Sequence, residues 1–478
     1  MDEQLKQQTK KGVFWSAMQR FSTQGLQFIT TLFLARLLTP ADYGVVSMLG
    51  VFIAICSVFI DGGFINALTR KQDRTHADIC TVFFFNIGVA ALAYCLLFAI
   101  APLVASFYNM PELKVVLRVL GIAMIINSFA GVQVTLLTIN LDFKTQTPIA
   151  IVTIVISATV AIICAWMGLS YWALVIQNIV YCIVNTSLYW HFSKWRPTLV
   201  FSRKSFNEMF GFGSKILATQ FIDTIYSNLY SLVIGKAFSA SALGSYDRAN
   251  SYANFPSNSL TGVMQRVTYP VLCRMQGNDG ELAWTYRKFL KLSAFVIFPL
   301  MMGLSALAYP FIILIIGYKW TASAAMLQVI CFGLMWFPIN SINLNLLMVK
   351  GRSDLTLRVE VIKKVIGVLL LFGCVPLGIM ALCYSVIVAS VLAVVINTYY
   401  TGKLIGLGFF KQMKDLLPTF AISVSMWGVI LLVNSHIASL PVQMGTGFVV
   451  GAVYYIGVSY LFNREEFNSV LSLMRNKR

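Results

Sequence analysis

Charge is what this chain has least of. Only 11% of its 478 residues are Asp, Glu, Lys or Arg, where soluble proteins average about 25%. No polar segment between the apolar runs is long enough to fold as a separate soluble domain. Acidic residues number 18 against 36 basic ones, and there are three histidines. The nine cysteines show neither CxxC spacing nor clustering with His, and Cys56, Cys95, Cys164, Cys182, Cys331, Cys374 and Cys383 lie inside apolar runs, where cysteine acts as a small hydrophobe. No disulfide, metal or other cofactor is therefore expected. No GxxxxGK[ST] loop occurs, which excludes a P-loop ATP site as the driver of any work. No A-x-A site follows the first apolar run, so no cleavable signal peptide is expected.

What the chain has instead is 58% hydrophobic residues, gathered in fourteen stretches. They lie at about 12–38, 41–68, 77–106, 111–139, 148–168, 170–192, 207–236, 240–273, 286–316, 321–349, 356–375, 377–401, 413–434 and 440–462. Each is roughly 20 residues or longer, the length a helix needs to cross ~30 Å of hydrocarbon. Basic residues collect in every second gap. Lys6, Lys10 and Lys11 precede the first stretch, and Arg70, Lys71 and Arg74 follow the second. Lys144, then Lys194 and Arg196, then Arg274, then Lys350 and Arg352, then Lys403 and Lys411 continue the alternation to Arg475, Lys477 and Arg478. The intervening gaps hold only Lys114, Lys236 and Lys319. Cytoplasmic loops retain Lys and Arg, so both termini are expected in the cytoplasm. The net charge of +18 is spread over these segments, which suits anionic lipid headgroups rather than nucleic acid.

The expected fold is an all-α polytopic membrane protein with fourteen transmembrane helices. Two six-helix bundles, 1–192 and 207–402, would be joined by a cytoplasmic linker at 193–206, with two further helices and a tail at 403–478. An internal echo supports the halves. Arg36-Leu37-Leu38-Thr39 runs on to Gly44, and Lys236-Ala237-Phe238-Ser239 runs on to Gly244, at a constant offset of 200. Both copies start from the same side, so a pseudo-two-fold would run along the membrane normal, as in transporters built of parallel repeats.

The residues also carry a resemblance. Gly12-Val13-Phe14-Trp15-Ser16 with Leu34-Ala35-Arg36-Leu37-Leu38-Thr39-Pro40-Ala41-Asp42-Tyr43-Gly44 resembles the opening of Wzx-type polysaccharide flippases of the multidrug/oligosaccharidyl-lipid/polysaccharide exporter superfamily. Asp61-Gly62-Gly63-Phe64 is similar to the end of that family's second helix, and Leu243-Gly244-Ser245-Tyr246-Asp247-Arg248 with Arg266 to Leu272 is similar to its eighth. The resemblance implies a non-enzymatic carrier. It would move an undecaprenyl-diphosphate-linked oligosaccharide from the inner to the outer leaflet of a bacterial inner membrane by alternating access.

Charges inside the stretches are the candidate site. A charge at the centre of a membrane helix costs about 2.5–3.5 kcal/mol on insertion scales, so it faces a wet cavity, finds a partner or snorkels to the headgroups. Arg20 lies about 12 Å into the first span, and Gln24, Gln27 and Thr31 extend its face at i+4, i+7 and i+11. Lys215 shares a face with Thr219, Asp223, Tyr226 and Tyr230. Asp223 is a candidate counter-ion for Lys215 or Arg20, or a proton or sodium site. Arg248, Tyr252, Phe255, Ser259 and Arg266 follow helical spacing on the eighth span; Arg248 is expected to line a cavity and Arg266 to snorkel. The substrate-binding candidates are thus Arg20, Gln24, Gln27, Lys215, Asp223, Tyr226, Arg248 and Tyr252, with no catalytic residue. Arginine suits a diphosphate because its donors fit two oxygens at once. The expected partners are the lipid-linked oligosaccharide, membrane lipids and a coupling proton or sodium ion.

Two rivals remain at this point. A drug/cation antiporter of the same superfamily would call for an acidic cavity, whereas basic intramembrane residues outnumber acidic ones here. A membrane polysaccharide polymerase or ligase would need a substantial external loop, and connections such as Thr39-Pro40-Ala41 and Gly168-Leu169-Ser170 are too short.

Overall fold

The structure, a computed structural model, describes residues 3–61 and 63–475. Gly62, the carboxylate of Asp61, the side chains of Lys6, Lys10 and Lys11, and the terminal Lys477 and Arg478 lie outside the described residues. All regular elements among the described residues are helical.

The chain opens with α1 (Glu3–Leu37), α2 (Pro40–Asp61), α3 (Phe64–Arg70) and α4 (His76–Tyr108). A broken pair follows, α5 (Leu113–Ser128) and α6 (Gly131–Ile139), bent by 40°. Then come α7 (Phe143–Trp166), α8 (Trp172–Phe192), α9 (Arg203–Ala237) and α10 (Ala240–Arg274). The remainder is α11 (Asp279–Ala306), α12 (Ala308–Ile316), α13 (Thr321–Leu334), α14 (Phe337–Val349), α15 (Ser353–Cys374), α16 (Ile379–Ile405), α17 (Phe409–Ser435), α18 (Leu440–Phe462) and α19 (Arg464–Arg475). α1 and α9 end at Leu37 and Ala237, a shift of 200. α2 and α10 begin at the same shift.

Nine helical segments among the described residues are long and apolar enough to cross a membrane, or ten with the bent α5–α6 pair. The fourteen expected from the sequence therefore exceed this count. The difference is α1, α9, α10 and α15, which are long enough but too polar to pass. In α15 the polarity sits in its first half, where Glu360 pairs with Lys363 one turn on. In the other three it runs through the middle of the helix.

Contacts group residues 1–244 and 245–478 into two units. The expected boundary at 193–206 falls inside the first of them. In that unit α1 packs along α7, α4 along α5, α7 along α8, and α9 along α2, α3 and α4. Two places show how closely α9 and its continuation approach α2. A Cβ on Gly44 would collide with the Ala240 carbonyl, and one on Gly244 would collide with that of Pro40. At the other end of α2, Gly63 has φ 75°, a conformation open to glycine without strain, and a Cβ there would stand 2.7 Å from Gly213 Cα. Phe64 stacks on Phe206 beside it, within a core of Leu68, Val82, Phe83, Val132 and Met209.

The 193–206 segment is tied down rather than loose. The Trp195 indole donates to His76 Nδ1 at 3.3 Å, and the Ser202 amide donates to Thr81 Oγ1 at 3.0 Å. His76 Nε2 lies 2.9 Å from the Thr198 hydroxyl. All three contacts fix the segment to the first turns of α4.

In the second unit α11 packs along α17, α13 along α16, and α17 along α18. Its interior carries a satisfied polar network. The Tyr286 hydroxyl donates to Asn343 Oδ1 at 2.7 Å, and the Gln412 amide donates to Thr401 Oγ1 and the Leu407 carbonyl, both at 2.9 Å. Each group being paired removes the desolvation penalty that an unpaired one would carry.

Candidate functional site

The site candidates sit on the three 35-residue helices. In α1, Arg20 and Gln27 are exposed and Gln24 and Thr31 half-buried, while Leu34, Ala35 and Leu38 are buried. Among the described residues no carboxylate stands within ion-pair distance of Arg20. The short hydroxyls of this helix turn inward to its own backbone: Thr23 bonds the Gln19 carbonyl and Thr30 that of Leu26, both at 2.8 Å.

Helix α9 is held at its two ends and open between them. Ser205, Met209 and Gly213 are buried at one end, Val233, Ile234 and Gly235 at the other, and no residue from 214 to 232 is buried. Lys215 and Asp223 are exposed in this middle stretch, with Tyr226 half-buried. Lys215 and Asp223 do not pair with each other, and no other described carboxylate stands within ion-pair distance of Lys215. An exposed middle stretch that holds a lysine, an aspartate and two tyrosines is unsuited to contact with lipid.

In the second unit, Arg248 is half-buried and Tyr252, one turn on, is 4% exposed with its ring edge on Phe311 at 5.8 Å. The Tyr252 ring is therefore turned into the core of its unit. The sequence stripe joining Arg248 to Tyr252 follows the flank of α10, not its open face. Three asparagines that sequence reasoning passed over, Asn250, Asn254 and Asn258, share that helix. Their i, i+4, i+8 spacing was the available signal.

Away from these helices, Lys71 lies between two carboxylates. Its ammonium is 3.1 Å from Asp78, which is 1% exposed, and 3.0 Å from Glu208 on α9. The hydrogen bond to Glu208, followed by that to Asp78, raises the Lys71 pKa above the ordinary lysine value. Asp78 also accepts from the Thr75 amide at 2.8 Å as the α4 capping box. In the second unit a cavity of about 500 Å3 is lined by Trp284, Arg287, Lys288, Lys291, Glu465 and Glu466. There Arg287 grips Asp415 with two bonds of 2.6 Å. No group of three or more His, Cys, Asp or Glu able to hold a metal exists among the described residues.

Residues 33–325 match the family of polysaccharide biosynthesis proteins. The chain belongs to that family. Its relatives include the teichuronic acid biosynthesis protein TuaB of Bacillus subtilis, 25% identical over 465 residues and covering 95% of each chain. Another is the lipopolysaccharide biosynthesis protein WzxC of Escherichia coli K12, 25% identical over 446 residues and 89% of each chain. The succinoglycan biosynthesis transport protein ExoT of Rhizobium meliloti is 22% identical, over 98% of this chain and 96% of its own. Among solved structures, the lipid II flippase MurJ in an inward closed conformation aligns with TM-score 0.75 at 15% identity, covering 95% of this chain and 99% of MurJ. An inward-facing multidrug resistance transporter of the MATE family, in the MOP superfamily, aligns at 0.63 and 15% identity, over 80% and 94%. These two likenesses establish the fold as an all-helical polytopic membrane fold.

Proposed function

We propose that this polysaccharide biosynthesis protein is a flippase for a lipid-linked oligosaccharide, carrying the glycan on its undecaprenyl diphosphate from the inner to the outer leaflet of the bacterial inner membrane. The observation that carries the reading is the polarity of α1, α9 and α10. Three full-length helices present Arg20, Lys215 and Arg248 at exposed or half-buried positions in a chain that is otherwise apolar. The name of ExoT as a transport protein and that of MurJ as a flippase agree with it.

The cargo explains the need for such helices. A diphosphate and a set of sugar hydroxyls cannot enter hydrocarbon unsolvated. Cations on α1, α9 and α10 would replace water around the phosphates, Arg20 and Arg248 with paired donors and Lys215 as a point charge. Gln24, Gln27 and Tyr226 would serve the same headgroup with neutral hydrogen bonds. The prenyl tail can stay in lipid throughout. Asp223, exposed near the middle of α9, would be the place for a coupling proton or sodium ion.

In this reading all fourteen long helices or helix pairs span the membrane, with both termini cytoplasmic. The two six-helix halves of the sequence alternate about a pseudo-two-fold axis. The ends of α1 and α9 and the starts of α2 and α10, at a shared shift of 200, support that symmetry. Deleting the gene should stop polymer export and leave a lipid-linked oligosaccharide in the inner leaflet. If the deletion strain accumulates no lipid-linked glycan, the proposal fails.

A further inference from the structure

Helix α10 has one face bound to its own unit and one face open. On the bound face, the Ser257 hydroxyl donates to the Leu334 carbonyl at 2.8 Å, and the Asn345 amide donates to Thr268 Oγ1 at 3.2 Å. The Ser323 hydroxyl donates to the Ser245 carbonyl at 2.9 Å. Ala249, Tyr252, Ala253 and Thr261 are buried along the same side. The open side carries Ser251, Phe255 and Asn258, all exposed, with Asn254 half-buried beside them. On a membrane helix this arrangement is inverted, since an exposed side would normally be apolar.

The asparagines form a chain of amides running from the flank to the open face. Asn254 Nδ2 donates to Asn250 Oδ1 at 2.8 Å and to the Asn250 carbonyl at 3.0 Å. Asn258 Nδ2 donates to Asn254 Oδ1 at 3.4 Å. Among the described residues, the side chains of Asn254 and Asn258 bond nothing on any other helix, so they do not hold helices together. Asparagine is also a poor residue for a helix interior, and three at one-turn spacing need a reason. Each donation polarises the next amide and leaves the Asn258 carbonyl oxygen and its second N–H at the exposed end. Phe255, 45% exposed, sits between Ser251 and Asn258 on the same face.

We propose that this face of α10 is a glycan-reading surface: the Asn250–Asn254–Asn258 ladder bonds sugar hydroxyls, and Phe255 stacks on the apolar face of a sugar ring. The assignment rests on the proposed flippase function and names the part of the cargo recognised. An amide offers both a donor and an acceptor, as a sugar hydroxyl does, and carries no charge for the diphosphate. The ladder therefore selects which glycan is carried, while the cations hold what every such cargo has in common.

The test uses the full chain in nanodiscs and two probes: the lipid-linked oligosaccharide extracted from the deletion strain, and undecaprenyl diphosphate without sugar. Asn258→Leu and Asn254→Leu should each weaken binding of the first probe about tenfold, the scale of one lost hydrogen bond, and leave the second unchanged. Asn258→Ser, which keeps a hydroxyl, should fall between wild type and Asn258→Leu. Unchanged binding of the oligosaccharide, or equal losses for both probes in the exposed Asn258 variants, overturns the ladder and leaves the flippase reading standing. If wild-type protein binds neither probe, the flippase reading itself falls.

Discussion

Gly44 and Gly244 meet where α2 and α10 begin, each with backbone of the other's helix in the space its own Cβ would need. Gly44 faces the carbonyl of Ala240 and Gly244 that of Pro40, and a Cβ on Gly244 would stand 2.9 Å from the Gly44 nitrogen. The contact is reciprocal at the 200-residue shift, since 44 touches 240 and 244 touches 40. Reciprocity of this kind is what a two-fold axis produces at a self-complementary contact.

Gly44→Ala and Gly244→Ala should each force the two helix starts apart, because a backbone carbonyl cannot rotate out of the way as a side chain can. Each is expected to lower polymer export at least tenfold, with overpacking destabilisation of about 1–3 kcal/mol. The double variant should be little worse than either single one, because one added methyl already separates the pair. Export assays beside immunoblots of membrane protein check this; normal export from both single variants would refute it.

Arg20→Ala should abolish export while the protein still reaches the membrane at its usual level. Arg20→Lys should restore only part of it, since a lysine keeps the charge but loses the paired donors. Full export by Arg20→Ala would reduce Arg20 to a structural role.

Lys71→Met should lower thermal stability by about 1.5–3 kcal/mol, the range for hydrogen bonds to charged groups, because Asp78 is left buried without its cation. Glu208→Gln should cost about 1 kcal/mol or less, as an exposed partner does. Since the Lys71 pKa is raised in the folded protein, its stabilisation is complete at neutral pH. It is lost only as pH rises past the ordinary lysine value and through the raised one. Equal melting shifts for the two variants would count against the buried role of Asp78.

Leu199, 94% exposed in the 193–206 segment, reports topology. In a cysteine-free background, Leu199→Cys should react with an impermeant thiol reagent only after the cells are opened. Reaction in intact cells would invert the proposed orientation.

Much of the helix order could be read from the chain, and the reasons are local. The stretch drawn at 440–462 is α18, and the one drawn at 240–273 is α10, because both are bounded by polar turns. The breaks within spans were hidden. α5 gives way to α6 at Phe129–Ala130, and α13 to α14 at Met335–Trp336, all apolar residues that interrupt nothing in a hydropathy pattern. Lys215 was legible as a cation on a long helix, but its lack of pairing with Asp223 was not, because spacing along one helix says nothing of side-chain reach. Tyr252 shows the same limit. Its i+4 relation to Arg248 is real, yet Tyr252 is buried and Arg248 only half-buried, and packing against Phe311 rather than spacing reveals that Tyr252 belongs to the core. The grouping of α9 with the first unit depends on contacts such as Gly63 with Gly213, between residues far apart in sequence.

The polarity of α9 and α10 also bears on how the chain enters the bilayer as it is made. The translocon releases helices to lipid according to their hydrophobicity, and these two emerge in succession with only Phe238 and Ser239 between them. The ends of α9 find α2, α3 and α4 already in place. The hydrogen-bonding partners of α10 lie on α13 and α14, which are not yet synthesised. Chains truncated after Asn278 should therefore leave α10 outside the bilayer in protease protection, and chains truncated after Gly351 should not. Protection in both would show that α10 inserts unaided. On this expectation α10 would enter the bilayer only after α13 and α14, which follow it in the chain, and the order of assembly would depart from the order of synthesis.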